Sequence, residues 1–69
     1  MKQVQIHTEY VTLGQMLKLS DCISTGGAAK PFLAETKITV NGEPENRRGR
    51  KLYRGDRIEV AGHGAFEIV

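Results

Sequence analysis

The sequence predicts an α+β fold in which two short helices pack on a small, mainly antiparallel sheet. Apolar residues recur at helical spacing in the segment that follows Thr12, which indicates an amphipathic helix. Alternating apolar and polar residues around Val40 and Ile58 are typical of short strands. The pair Asn41-Gly42, directly after the first of these runs, predicts a tight hairpin turn because both residue types tolerate positive φ.

One strand and one helix are predicted near the amino terminus. Val4 and Ile6 alternate with polar neighbours, which predicts a short strand. Thr12 and Gln15 have the spacing of a capping box, in which each side chain binds the other residue's backbone amide. We therefore expect a helix over about residues 13–20.

A second helix is predicted to begin after Thr25, whose hydroxyl would cap it. Ala29, Phe32 and Leu33 then lie on one helical face. Pro31 would be the sixth helical residue, where proline removes a backbone hydrogen bond. Either a kinked helix or a distorted first turn is expected.

The second half of the chain predicts strands separated by turns. Pro44 follows the Asn41-Gly42 turn and restricts its strand to a sheet edge or a bulge. Further turns are predicted at Gly55-Asp56 and over residues 61–64. The expected order of elements is β-α-α-β-β-β-β.

The 69 residues allow one domain, residues 1–69, with a modest core. The core is predicted from the apolar positions of these elements. Its members are Leu13, Met16, Leu17, Ile23, Ala29, Phe32, Leu33, Ile38, Val40, Leu52, Ile58, Val60, Phe66 and Ile68.

Six cations fall within the eleven positions 47–57, where Asp56 is the only acid. They are Arg47, Arg48, Arg50, Lys51, Arg54 and Arg57. Such a cluster on a β framework is typical of proteins that bind a phosphate backbone, since a planar guanidinium can hold two phosphate oxygens. The other interpretation is a solvated loop whose arginines form ion pairs with Glu43, Glu45 and Glu59.

Three glycines in the helical region have two interpretations each. Gly26 and Gly27 either belong to a plain helix cap or leave the helix start open to phosphate. Gly14 weakens the first helix, so it marks either close packing or a contact with RNA.

Nothing in the sequence indicates catalysis, and we expect no enzyme activity, no cofactor and no metal. His7 and His63 have no further histidine or cysteine at metal-ligand spacing. Cys22 fits a small buried residue beside the first helix, and a single cysteine suits a reducing compartment. Without a recognisable signal peptide or a long apolar run, we expect a cytoplasmic monomer that does not bind membranes.

Three segments and the cations between them resemble a known family. Residues 25–30 read Thr-Gly-Gly-Ala-Ala-Lys, residues 37–42 read Lys-Ile-Thr-Val-Asn-Gly, and residues 53–60 read Tyr-Arg-Gly-Asp-Arg-Ile-Glu-Val. Over about residues 12–60 the chain resembles the RNA-binding domain named after ribosomal protein S-four, also called the alpha-L motif. The whole chain is similar to the YaaA-type stand-alone members of this family in bacteria.

The resemblance implies non-catalytic binding of structured RNA, either ribosomal or transfer RNA, through the helix starts and the basic loop. It also implies a role in ribosome assembly or translation, which makes ribosomal particles a candidate partner. The RNA-binding residues it implies are Gly26, Gly27, Lys30, Lys37, Asn41, Arg47, Arg48, Arg50 and Lys51.

Two positions depart from the family pattern. Many members carry arginine where this chain has Thr12 and Gly26. Backbone amides and loop arginines would then provide more of the RNA contact. The alternative function is a protein-interaction module that uses the sheet edge, whose binding would respond weakly to salt.

Overall fold

The fold contains two short helices, a five-stranded sheet and a separate two-stranded ribbon. A computed structural model describes all residues, 1–69. The helices are α1, Leu13–Leu19, and α2, Ala29–Glu35, which a 3-10 turn, Gly26–Ala28, directly precedes. The strands are β1 Lys2–Val4, β2 Val11–Thr12, β3 Ile38–Val40, β4 Glu43–Pro44, β5 Lys51–Leu52, β6 Arg57–Val60 and β7 Gly64–Ile68.

The larger sheet has the strand order β1-β7-β6-β3-β4, and the ribbon pairs β2 with β5. Every neighbouring pair is antiparallel except β1 and β7, which run parallel. The predicted α+β fold with a mainly antiparallel sheet is confirmed. None of the helices has both the length and the apolar composition needed to cross a membrane.

The predicted capping box at the start of α1 is confirmed. The Gln15 amide donates to the Thr12 hydroxyl at 3.3 Å, and the Thr12 amide donates to the Gln15 side-chain oxygen at 2.9 Å. The helix ends at Leu19, and Asp21 then adopts a φ of 61°. The reciprocal cap satisfies backbone donors at a helix that is too short to be stable alone.

The start of α2 differs from the predicted cap. The Thr25 side chain makes no capping hydrogen bond, so that prediction is wrong. The chain instead forms the 3-10 turn, and Pro31 becomes the third residue of α2. Amides in the first helical turn have no intrahelical partner, so a proline is tolerated there. The distorted first turn, rather than a kink, therefore accommodates Pro31.

The hairpin between β3 and β4 has the predicted turn and edge. Asn41 and Gly42 have φ values of 52° and 86°, as a two-residue turn with two positive φ angles requires. Pro44 lies opposite Thr39 in the edge strand β4. With only two residues and one proline, this edge offers little backbone for pairing with another chain.

The ribbon of β2 and β5 was not predicted from the sequence. Val11 pairs with Leu52 and Thr12 with Lys51, and both apolar members are buried. A strand of two residues is too short to show alternation. The ribbon places the segment after β4 against the start of α1.

Sixteen buried apolar residues form one core between the helices and the sheet. Thirteen of the predicted core residues are confirmed, but Phe32 is only half-buried, and its ring packs edge-to-face against that of His63 with the centroids 5.4 Å apart. The core also includes Val4, Ile6 and Val11, which the prediction omitted. They lie in or next to β1 and β2, which pair with β7 and β5 respectively.

Candidate nucleic-acid interface

The segment that follows β4 and includes the first residue of β5, residues 45–51, is called the basic loop. Its backbone is bonded to α1. The amide of Leu13 donates to the Arg50 carbonyl at 2.8 Å, and the amide of Gly14 donates to the Arg48 carbonyl at 2.9 Å. With Gln15 bonded to Thr12, the first three helical amides of α1 are all occupied. The start of α1 therefore has no free amide at these positions for a phosphate.

Gly14 lies where the basic loop and α2 approach α1 most closely. A Cβ atom at this position would lie 3.5 Å from the Cβ and the carbonyl oxygen of Arg48 and 3.6 Å from the Cβ of Ala29. These are ordinary van der Waals distances, so a Cβ atom would fit and close packing does not by itself require glycine. Both predicted roles of Gly14 stay open.

Glu45 organises the arginines of the basic loop. Its side chain is only 6% exposed and accepts hydrogen bonds from Arg47 Nε and Nη2 at 2.8 and 2.9 Å and from Arg50 Nη1 at 2.8 Å. The backbone amides of Asn46 and Arg47 donate to the same carboxylate. Hydrogen bonds from Arg47 and then Arg50 hold the pKa of Glu45 well below its ordinary value, although burial opposes this shift.

Glu45 does not neutralise the loop. Four cations, Arg47, Arg48, Arg50 and Lys51, stand against this one carboxylate. The Arg47 side chain remains 71% exposed and that of Arg50 34% exposed. Each guanidinium has five N–H donors, of which the carboxylate engages only some. The ion pairs therefore orient the arginines and leave donors for an anion.

Arg48 extends the positively charged surface of the basic loop toward α2. It lines a shallow depression together with Lys30, Leu33, Ala34 and Asn46. The structure thus brings the predicted residues Lys30 and Arg48 to one site, although they are far apart in sequence. Because neither residue forms an ion pair with a carboxylate, both charges are available.

Gly26 and Gly27 lie in the 3-10 turn that leads to Lys30. A Cβ at either glycine would meet no atom within 4 Å. Neither has a positive φ, so backbone conformation does not require glycine here. The surface in front of this turn is open to a ligand.

The other two predicted binding residues, Lys37 and Asn41, flank the two ends of β3. The Asn41 side chain donates to Asp56 Oδ1 at 3.1 Å and accepts from the Arg57 amide at 3.0 Å, which ties the hairpin turn to β6. Lys37 precedes β3, at the opposite end of that strand from Asn41, and borders a depression with Thr39. The basic loop begins at this end of β3, since the amide of Glu45 donates to the carbonyl of Ile38 at 2.9 Å.

Two arginines after the basic loop are engaged in the fold, Arg54 through its side chain and Arg57 through its backbone amide. Arg54 Nη2 donates to the carbonyl of Ile6 at 2.8 Å and so holds the segment after β1. The amide of Arg57 is the one bound by Asn41. No group of three or more histidine, cysteine or acidic residues could hold a metal ion. Cys22 is half-buried against the core.

Comparison with known proteins identifies the family of this chain. The sequence profile described as "S4 domain" matches residues 4–69, nearly the whole chain. The chain belongs to the S4 domain family. This confirms the resemblance inferred from the hairpin turn and the basic loop. No solved structure matches the chain significantly.

Two curated relatives cover most of the S4 chain. One, from Bacillus subtilis (strain 168), is named "Probable ribosome maturation protein RlbA" and is 58% identical over 66 residues, covering 96% of this chain and 93% of its own. Another, from Escherichia coli (strain K12), is named "Putative RNA-binding protein YbcJ" and is 35% identical over 54 residues, covering 78% of this chain and 77% of its own.

Proposed function

We propose that this S4 domain binds structured RNA, with ribosomal RNA as its ligand, and acts without catalysis in ribosome maturation. Transfer RNA is the second candidate. Membership of the S4 family, the name of the Bacillus relative and that of the Escherichia relative support this proposal.

The single observation that carries the proposal is the fixed, positively charged basic loop. Its backbone is bonded to α1, and Glu45 holds two of its guanidinium groups. Because these groups are already ordered, less side-chain entropy is lost when they bind phosphate. Phosphate neutralisation by such a loop positions RNA without reading its bases, so RNA shape sets selectivity.

The second helix extends the same proposed surface. Lys30 faces Arg48 across the depression beside the loop, and Gly26 and Gly27 leave the turn before it unobstructed. RNA would lie over the loop and this turn. Lys37 and Asn41 remain predicted contacts, although the Asn41 side chain is already bonded to Asp56 and to the Arg57 amide.

The experiment removes two cations that do not pair with Glu45. Lys30→Ala combined with Arg48→Ala should weaken binding to ribosomal RNA fragments about tenfold or more, because charge-assisted contacts contribute roughly 1.5–3 kcal/mol each. Each exposed substitution should change stability by less than about 0.5 kcal/mol. Affinity is measured by fluorescence anisotropy alongside a melting curve.

A matched control makes the same change in charge at the other end of α1. Lys2→Ala with Lys18→Ala also removes two exposed cations. The proposal expects a much smaller loss of affinity in this control. An equal loss in both variants would mean unspecific attraction, and unchanged affinity in the first variant would place the RNA site elsewhere. Crosslinking in cells and sequencing the bound fragments identifies which RNA is bound.

A further inference from the structure

Two tyrosines lie opposite each other at the end of the β2-β5 ribbon. Val11 pairs with Leu52, so the antiparallel register places Tyr10 across from Tyr53. Because side chains alternate along a strand, Tyr53 and Lys51 lie on the face opposite to buried Leu52. The ribbon thus displays both rings on one outer surface.

The two rings remain largely outside the core. Tyr10 is 37% exposed and Tyr53 is 44% exposed, and their ring centroids are 5.9 Å apart with the planes tilted by 50°. The Nζ atom of Lys51 lies 4.8 Å from the centroid of Tyr10. The two phenylalanines, by contrast, are buried or half-buried in the core. Both exposed aromatic rings of the chain therefore belong to this one cluster.

The tyrosine cluster is continuous with the basic loop. Tyr53 lines the same shallow depression as Arg47, Arg50 and Lys51. Asp56 also lines it, but its carboxylate accepts hydrogen bonds from the Tyr53 amide and the Asn41 side chain. A nucleotide whose phosphate is held by the loop arginines would have an exposed aromatic face beside it.

We propose that Tyr10 and Tyr53 form a stacking platform for an unpaired base, so that the protein prefers RNA helices interrupted by a bulge. This inference rests on the proposed function, because the basic loop supplies the phosphate contacts. Aromatic side chains accept any base through its π face, and bases in RNA are available for stacking only where they are unpaired.

Lys51 links the platform to the phosphate contacts. At an exposed site a cation–π contact is weaker than the stacking of a base on an aromatic ring. An incoming base can therefore displace the ammonium group from Tyr10. The released lysine then lies beside the phosphate of the same nucleotide, so one event adds a stacked base and a charge contact.

The test compares two RNAs that differ in one nucleotide. One is a hairpin with a single-nucleotide bulge in its stem, and the other is the same hairpin with a fully paired stem. Tyr10→Leu with Tyr53→Leu keeps apolar side chains on the ribbon and removes the aromatic faces. This variant should bind the bulged hairpin about fivefold or more weakly than the wild type does. Its affinity for the paired hairpin should stay within twofold.

The matched control is Tyr10→Phe with Tyr53→Phe, which retains the rings and should bind both hairpins as the wild type does. Equal affinity of the leucine variant and the wild type for the bulged hairpin would overturn the platform. Loss of bulge binding in the phenylalanine variant would overturn stacking in favour of contacts by the hydroxyl groups. An equal loss for both hairpins would show that the tyrosines only support the fold.

A second measurement requires no variant. The chain has two tyrosines and no tryptophan, so its intrinsic emission reports on this cluster alone. The bulged hairpin should quench the emission more than the paired hairpin at matched absorbance. Equal quenching would count against the platform. The Lys30, Arg48 double variant separates the two proposals, because it should lose affinity for both hairpins if the basic loop binds RNA at all.

Discussion

At the scale of single residues, Glu45 decides how the basic loop is arranged. Its nearly buried carboxylate receives donors from Arg47, from Arg50 and from the backbone of the loop itself. The negative charge of Glu45 thus fixes the conformation of the positively charged basic loop that is proposed to bind RNA. An anion buried beside two arginines stabilises their positions, whereas the same arginines in a solvated loop would sample many rotamers.

Replacing Glu45 by glutamine should destabilise the free protein by about 1–2 kcal/mol, because it weakens charge-assisted hydrogen bonds to both arginines. The pKa of Glu45 is lowered in the folded state, so the unfolded chain binds its proton more tightly. Stability from this group is therefore present above the unfolded pKa, near 4.3, and is lost as pH falls from about 5 toward 2.

Urea unfolding of wild-type protein and Glu45→Gln across this pH range measures the effect. The stability difference between them should shrink as the pH falls. Glu43→Gln is the matched control, since Glu43 is exposed and forms no ion pair. A stability difference that does not change between pH 7 and pH 3 would show that the Glu45 charge does not hold the loop.

The sequence indicated three glutamates as partners for the arginines, and the structure selects Glu45. Glu45 is the nearest of the three in sequence, two residues from Arg47 and five from Arg50, but spacing alone does not show whether its side chain turns toward them. The backbone of residues 45–50 decides it by folding back to bond with α1. The cations themselves were visible in the sequence, since charge needs no tertiary information.

At the scale of elements, the strands that could be predicted are those with enough residues to alternate. The strands β3 and β6 bury every second residue and were predicted from that pattern. The ribbon strands have two residues each, and their pairing depends on the loop that brings them together. Pro31 was correctly identified as incompatible with a regular helix starting at Thr25, and the 3-10 turn is how the chain resolves it.

A substitution in the 3-10 turn tests whether RNA contacts the chain at the start of α2. Gly27→Val adds a side chain whose Cβ would have no protein atom within 4 Å, so its effect on stability should be small. If RNA approaches the backbone here, affinity should fall about three- to tenfold, because the side chain obstructs the phosphate. Valine is preferable to alanine, which would also raise helix propensity.

RNA affinity and a melting curve of the same variant measure this effect. Ala61→Val, in the exposed turn between β6 and β7, is the control for adding the same side chain elsewhere. A well-folded Gly27→Val protein with wild-type affinity would limit the RNA contact to the basic loop.

At the scale of the whole molecule, the net charge of +2 conceals a strong asymmetry. Lys30 borders one depression together with Arg48, and Arg47, Arg50 and Lys51 border another along the basic loop. Lys37 and Asn41 were placed in the site by resemblance to the family. The register of the β3-β4 hairpin puts the Lys37 end of β3 beside the start of the basic loop and Asn41 at the far end.

The salt dependence of RNA binding should show how many phosphates these cations neutralise. If about four to six phosphates are neutralised, log K for RNA should fall against log salt with a slope of roughly −3 to −5. Titrations at several potassium chloride concentrations provide the slope. A slope shallower than about −1 would contradict a phosphate-dominated mechanism and favour the protein-interaction alternative.

The parallel pairing of β1 with β7 has a consequence for how the chain acquires its shape during synthesis. The first strand bonds to the last one, and the amides of Ile6 and Val69 complete the contact through Val69 and Val4 carbonyls. Residues 2–4 therefore wait for a partner until residues 66–68 have left the ribosome. Contacts between such distant segments slow folding relative to local ones. The sheet therefore closes only after residues 66–68 have been synthesised.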